Sequence, residues 1–172
     1  MERIIRIGVI GCGEIAQIAH LPYLKELPGF EVVAICDISQ VVLDRIGDRF
    51  GVDERYQDFE ELVSKSDLDA VAVCTRDHAP PAIAAMDAGL HVMVEKPMAF
   101  NLEQADQMIA KSREMGVKVM VGYMKRYDPA YEHALELLEG VNSVHLIRIH
   151  DFGGSYDINR EIYDLVRPTD VP

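Results

Sequence analysis

Residues 8–16 read Gly-Val-Ile-Gly-Cys-Gly-Glu-Ile-Ala, a G-x-G-x-x-A stretch that joins the first predicted strand to the first predicted helix. Backbone N–H groups at a helix N-terminus bind the pyrophosphate of a dinucleotide, and glycine lets the chain approach it closely. We expect Gly11 to make the turn and Gly13 to admit the phosphates, with Glu14 and Ile15 completing the loop. Taken alone, the motif is equally consistent with an ordinary strand-to-helix turn.

The second predicted strand ends at Asp37, close to the spacing of roughly 20 residues expected for an acid that binds the adenosine ribose. An acid at this place repels a 2′-phosphate, and Ile38 and Ser39 supply no adjacent arginine to receive one. The pair of motifs therefore predicts a dinucleotide site that prefers NAD to NADP. The alternative is that Asp37 only caps the following helix.

Short β-branched runs alternate with longer amphipathic stretches, which is typical of βαβ units around a parallel sheet. Most of the runs are apolar on both faces, as expected when helices cover both sides of the sheet. The predicted fold class is α/β, a Rossmann-type doubly wound parallel sheet. Its predicted strands are Ile4–Ile10, Glu31–Cys36, Val52–Tyr56, Asp69–Cys74, His91–Glu95 and Val117–Gly122.

The alternation stops after Gly122, which predicts a dinucleotide-binding domain over residues 1–122. Residues 123–172 are predicted to hold a linker helix, about Ala130–Glu139, and a strand, Ser143–Phe152. That strand needs a partner sheet, so we expect an incomplete second α+β domain for substrate binding or oligomerisation. Its exposed apolar face predicts a homo-oligomer.

Composition limits the possible partners. The 172 residues carry a formal net charge of −12, which repels nucleic acid and anionic membranes. No apolar run reaches the roughly 18 residues needed to span a bilayer, and the amino terminus lacks the apolar core of a signal peptide. Three cysteines, Cys12, Cys36 and Cys74, lie in apolar segments and indicate reduced, buried thiols and a cytoplasmic location.

Four segments, in order along the chain, resemble the Gfo/Idh/MocA oxidoreductases, the family of glucose–fructose oxidoreductase and inositol 2-dehydrogenase. They are the glycine loop, Asp67–Thr75 leading to His78, Ala88–Ala99, and Val121–Pro129. The resemblance implies hydride transfer between a nicotinamide and a secondary alcohol or ketone of a sugar or cyclitol.

Glu95-Lys96-Pro97 places two charges at the end of an apolar strand, on the edge where open α/β sheets bind ligands. The resemblance implies that Lys96 lies beside the nicotinamide and is the catalytic residue that orients the substrate and shares in proton transfer. Glu95 is assigned to the same cofactor site. The alternative is a solvated lysine at a strand end.

Three further residues are assigned to the cofactor site by resemblance: Thr75, His78 and Arg126. The family usually reads Thr-Pro-Asn-x-x-His in the first of these segments, whereas this chain has Arg76, Asp77 and Pro80 at the corresponding places. His78 is equally consistent with an ordinary helix start, and Arg126 with an interface ion pair. No metal site is predicted, because His145 and His150 would point to opposite faces of a strand.

The family places an Asp and a His in its second domain as the acid–base group, but no histidine follows His150 here. We therefore expect a fragment or a naturally short relative that binds cofactor without full activity. The alternative function is a non-catalytic NAD(P)-binding module for redox sensing or assembly. A methyltransferase is disfavoured, since it offers no role for Glu95-Lys96-Pro97.

Overall fold

The computed structural model describes residues 3–150 and 157–171. Within these residues one parallel sheet is formed by six strands: β1 (Ile5–Ile10), β2 (Phe30–Cys36), β3 (Glu54–Tyr56), β4 (Ala70–Val73), β5 (His91–Val94) and β6 (Val119–Val121). Their order is β3-β2-β1-β4-β5-β6. This is the strand order of a doubly wound Rossmann sheet, so the predicted fold class is confirmed.

Helices connect the strands. A π-helical segment, Ala16–His20, runs directly into α1 (Leu21–Glu26). It is followed by α2 (Gln40–Phe50), α3 (Phe59–Lys65), α4 (Ala79–Asp87) and α5 (Leu102–Met115). Side chains satisfy orphan backbone donors at several helix starts: Ser39 accepts from Val42 N, Asp58 from Glu60 N, and Asn101 from Gln104 N.

The core lies on both faces of the sheet. Along β4, Val71 and Val73 pack into one apolar cluster with Met86 and Met108, whereas Ala72 packs into the other with Ile35. All six side chains are almost completely buried. Burial on both faces explains why the strand sequences show no polar alternation.

The cysteines are free thiols, as predicted; Cys12 and Cys36 are buried and Cys74 is half-buried. Burial, with a smaller contribution from the charge of Asp37, raises the pKa of Cys36 to about 12. Burial likewise raises the pKa of Cys12 and of Cys74. The three thiols are therefore protonated at neutral pH and serve as apolar filling.

The chain divides into two compact units. The first contains the chain up to Gly122 together with the segment from Leu165 onward, and the second is Tyr123–Asp164. The second unit holds a 3₁₀ helix, Met124–Tyr127, followed by α6 (Pro129–Leu138) and α7 (Asp157–Ile162). Nowhere in the described residues is there a helix long and apolar enough to cross a membrane.

The strand predicted over Ser143–Phe152 differs from the structure. Residues 143–150 form no strand, and residues 151 and 152 lie outside the described residues. A strand exists only when a neighbour completes its hydrogen bonds, and the described part of this unit supplies no such neighbour. A run of β-branched residues was therefore not enough to predict a strand here.

Candidate functional site

A cleft of about 400 Å³ opens where β1, β2 and β4 end. Because these are neighbouring strands of a doubly wound sheet, the cleft lies at the place where such sheets bind ligands. Four predicted site residues line it together: Gly11, Gly13, Asp37 and Thr75. Its wall is otherwise mainly apolar, formed by Ile10, Cys36, Ile38, Gln57, Phe59, Cys74, Arg76, Pro168 and Val171.

The two glycines of the loop meet different constraints. Gly11 has a φ of +92°, and a Cβ there would lie 2.8 Å from the carbonyl carbon of Cys74 and from Thr75 N. A Cβ on Gly13 would meet no atom within 4 Å. Gly11 is thus required by the fold, whereas Gly13 presents an exposed, unobstructed backbone. Glu14 and Ile15 follow it at the start of the helix, half-buried and exposed respectively.

The Asp37 carboxylate connects the glycine loop to the second βα turn. Its Oδ2 accepts a hydrogen bond from Cys12 N at 2.9 Å, and its Oδ1 accepts one from Ser39 N at 3.0 Å. Ser39 is the N-cap residue of α2, so helix capping is not the role of Asp37. Each carboxylate oxygen keeps a further lone pair for a ligand in the cleft.

The loop after β5 is held from two sides. Glu95 Oε1 lies 2.8 Å from His20 Nε2, and Glu95 Oε2 accepts from Lys96 N at 3.1 Å. On the other side, His78 Nδ1 lies 2.8 Å from the carbonyl oxygen of Pro97. Lys96 is exposed, and its peptide bond to Pro97 is cis. The lysine therefore extends from a fixed loop.

Of the three residues assigned by resemblance, Thr75 lines the cleft, whereas His78 and Arg126 do not. Thr75 Oγ1 donates to the carbonyl oxygen of Asp77 at 2.7 Å, which shapes the loop after β4. His78 is buried at the N-cap position of α4, the helix-start alternative considered for it. Arg126 is exposed in the 3₁₀ helix of the second unit.

Sequence reasoning missed two polar side chains that hold the site. His20, on the first helical segment, contacts Glu95 at the end of β5. Gln17 is buried and its Nε2 donates to the carbonyl oxygen of Cys12 at 2.8 Å. The signal that could have identified Gln17 was a polar residue at a buried position of the helix that follows the glycine loop.

A family comparison decides what kind of site this is. The Gfo/Idh/MocA oxidoreductases, described as having an NAD-binding Rossmann fold, match residues 5–123. The chain belongs to this family. The resemblance seen in the four sequence segments is thereby confirmed, and the fold is an NAD(P)-binding Rossmann fold.

Individual relatives agree with the family assignment. The chain is 34% identical over 148 residues to myo-inositol 2-dehydrogenase of Thermotoga maritima, covering 84% of this chain and 44% of that one. It also resembles the scyllo-inositol dehydrogenase from Lactobacillus casei solved with NAD(H) and scyllo-inositol. That likeness has a TM-score of 0.75 at 27% identity, covering 80% of this chain and 41% of that one.

A third member of the family carries the other cofactor. The 3-ketoreductase from Actinomadura kijaniata, solved in an open conformation with TDP-benzene and NADP, has a TM-score of 0.74 at 36% identity. The match covers 81% of this chain and 45% of that one. The chain thus spans less than half the length of each of these Gfo/Idh/MocA relatives.

Proposed function

We propose that this chain carries the NAD site of a dehydrogenase that transfers a hydride between nicotinamide and a secondary alcohol or ketone of a sugar or cyclitol. The hydrogen bond between Asp37 Oδ2 and Cys12 N carries the cofactor part of the proposal. It brings the ribose-binding acid against the phosphate-binding loop, as one dinucleotide requires. The substrate class rests on the inositol dehydrogenases among the relatives.

The residues of the cleft fit the parts of NAD. The pyrophosphate is assigned to Gly13 and the helix start at Glu14 and Ile15, where N–H groups face an anion and Gly11 fixes the turn. The adenosine ribose is assigned to Asp37. A carboxylate there accepts hydrogen bonds from ribose hydroxyls and repels a 2′-phosphate, which favours NAD over NADP.

The nicotinamide end is assigned to Thr75 and to the loop that carries Glu95 and Lys96. When bound, NAD supplies the hydride acceptor. The Lys96 ammonium, exposed beside this end, would donate a hydrogen bond to the substrate oxygen and share its proton. His20 and His78 hold the lysine loop through Glu95 and Pro97, so they position Lys96. Arg126 stays a prediction that rests on the family resemblance alone.

Titration with NADH and NADPH, followed by nicotinamide fluorescence, tests the cofactor assignment. We expect saturable NADH binding that is tighter than NADPH binding and that Gly13→Ala weakens. Absence of NADH binding would refute the proposed function. A screen of cyclitols and aldoses with NAD, read at the nicotinamide absorbance, then tests hydride transfer. Slow hydride transfer is the expected result, because no histidine follows His150 to complete an acid–base pair. Rapid turnover by this chain would overturn that expectation.

Self-association is part of the same proposal. Leu146, Ile147 and Ile149 of the second unit have more than two thirds of their surface exposed, at 76%, 69% and 84%. Exposed apolar side chains close together in sequence favour an interface with a second copy. Light scattering of the chain would measure its mass, and a monomer at all concentrations would refute this part.

A further inference from the structure

The segment Leu165–Val171, here called the strap, packs on the Rossmann unit although it follows the second unit in sequence. Its first anchor is Val166, which is 3% exposed and joins the apolar cluster around Val9. The Gln17 carboxamide fixes the backbone of Val166. Gln17 Nε2 donates to Val166 O at 2.9 Å, and Gln17 Oε1 accepts from Val166 N at 2.8 Å.

The second anchor is the Asp170 carboxylate at the start of α2. It accepts hydrogen bonds from the Ser39 hydroxyl and, at 3.1 Å, from Val41 N. The Ser39 hydrogen bond, with a smaller contribution from Val41 N, lowers the pKa of Asp170. The carboxylate is therefore charged at neutral pH. It provides the negative charge that the positive end of a helix dipole favours.

The strap also reaches the proposed cofactor cleft. Pro168 and Val171 line the same cleft as Asp37 and Ile38. Asp37 and Asp170 are linked through Ser39, since Asp37 accepts its backbone N–H and Asp170 accepts its hydroxyl. The donors held by Asp170 thus lie directly beside the acid assigned to the adenosine ribose.

A 2′-phosphate on that ribose would need positive or hydrogen-donating partners at this place. Arg76 lines the cleft from the loop after β4. The chain offers no arginine at positions 38–41, so the donors on the Ser39 side of the cleft are the Ser39 hydroxyl and N–H groups at the start of α2. Asp170 already uses two of them. A phosphate entering there would have to displace one carboxylate and remain next to another, Asp37.

We propose that Asp170 is a specificity-determining residue that occupies the 2′-phosphate position of the cleft and so excludes NADP. The inference rests on the proposed function, because it requires the adenosine ribose to bind at Asp37. Asp170 is a second acid, from a distant part of the chain, and it acts by occupying hydrogen-bond donors that a phosphate would use. Asp37 instead acts through the ribose hydroxyls.

The test compares binding of NADH and NADPH to wild-type chain, Asp170→Ala, Asp170→Asn and the strap control Thr169→Ala. Freeing two donors and removing a charge should tighten NADPH binding by about tenfold in Asp170→Ala, while NADH binding changes less than about threefold. Asp170→Asn keeps the size of the side chain and should shift the ratio in the same direction. Thr169→Ala should leave the ratio unchanged.

The pair 5′-AMP and 2′,5′-ADP, measured by calorimetry, repeats the comparison without the nicotinamide. An unchanged NADPH-to-NADH ratio in both Asp170 variants would overturn the proposal, as would equal binding of both cofactors by wild-type chain. Failure of wild-type chain to bind either cofactor or 5′-AMP would instead refute the proposed function. A melting curve for each variant identifies one that has lost its fold, and the other Asp170 variant then decides.

Discussion

Asp37 Oδ2 and the backbone N–H of Cys12 are joined by a hydrogen bond of 2.9 Å that links two successive βα turns of the sheet. The same carboxylate accepts Ser39 N, so it holds two backbone segments as well as facing the cleft. Its removal is therefore expected to affect both the loop and the bound ribose.

The first prediction concerns Asp37→Ala. Leaving the Cys12 N–H and the ribose hydroxyls without an acceptor should weaken NADH binding by about 1–3 kcal/mol, and NADPH should lose less. The measurement is a pair of fluorescence titrations, with a melting curve to record the stability lost with the loop contact. Asp37→Asn, which keeps one acceptor oxygen, is the control and should lose less stability. Equal losses for NADH and NADPH would contradict the assignment of Asp37 to the ribose.

The second prediction separates the two loop glycines. Gly13→Ala adds a methyl group in open space, so its melting temperature should stay near that of wild type while NADH affinity falls about tenfold. Gly11→Ala adds a Cβ 2.8 Å from the Cys74 carbonyl carbon at a φ of +92°, so its stability should fall by about 1–3 kcal/mol. Unaltered NADH binding in Gly13→Ala would show that the loop does not contact phosphate.

The difference between these glycines also shows what sequence could and could not provide. The G-x-G-x-x-A loop and Asp37 lie in successive βα turns, so the local sequence pattern was enough to predict them. The same pattern predicted all six strands of the sheet. Which glycine is required by the fold depends on the end of β4, more than 60 residues away in sequence. Periodicity contains no such information.

The strap shows the same limit more strongly. Residues 153–172 lack a sustained period, yet Leu165–Val171 packs on the first unit through Val166 and Asp170. These contacts span sequence separations of 149 and 129 residues, and they use backbone groups that any sequence possesses. For Ser143–Phe152 the sequence predicted a strand that does not form over residues 143–150. Strand-like residues need a neighbouring strand, and local sequence does not show whether one is present.

The third prediction concerns Lys96. If its ammonium orients the substrate oxygen, Lys96→Met should lower the rate of hydride transfer by about 10²–10⁴ with little change in NADH affinity. The checks are NADH titration and the initial rate with the most active polyol from the screen. His78→Asn, which alters the support at Pro97 without removing the ammonium, should give a smaller loss of rate. A parallel loss of NADH affinity in Lys96→Met would place Lys96 in cofactor binding instead.

The last prediction concerns the charge of Asp69, which lies where the strands of the sheet begin, at the opposite end from the cleft. Asp69 Oδ2 accepts a hydrogen bond from Arg6 N at 3.0 Å, and its Oδ1 pairs with the Arg3 side chain, so it ties the start of β4 to the start of β1. The Arg6 hydrogen bond and then the Arg3 charge lower the pKa of Asp69 below its ordinary value. A carboxyl whose pKa is lowered by folding stabilises the folded state above its unfolded pKa of about 3.9.

That contribution is lost as the pH falls through the folded pKa, because the carboxyl is then protonated in both states. Asp69→Asn should therefore melt below wild type at pH 7, and the two melting temperatures should converge as the pH falls below about 4. Asp67→Asn is the matched control: its side chain is 91% exposed and 3.4 Å from Arg6 Nε, and such exposed pairs contribute little. A gap between Asp69→Asn and wild type that stays constant or widens in acid would show that the charge of Asp69 does not stabilise this edge.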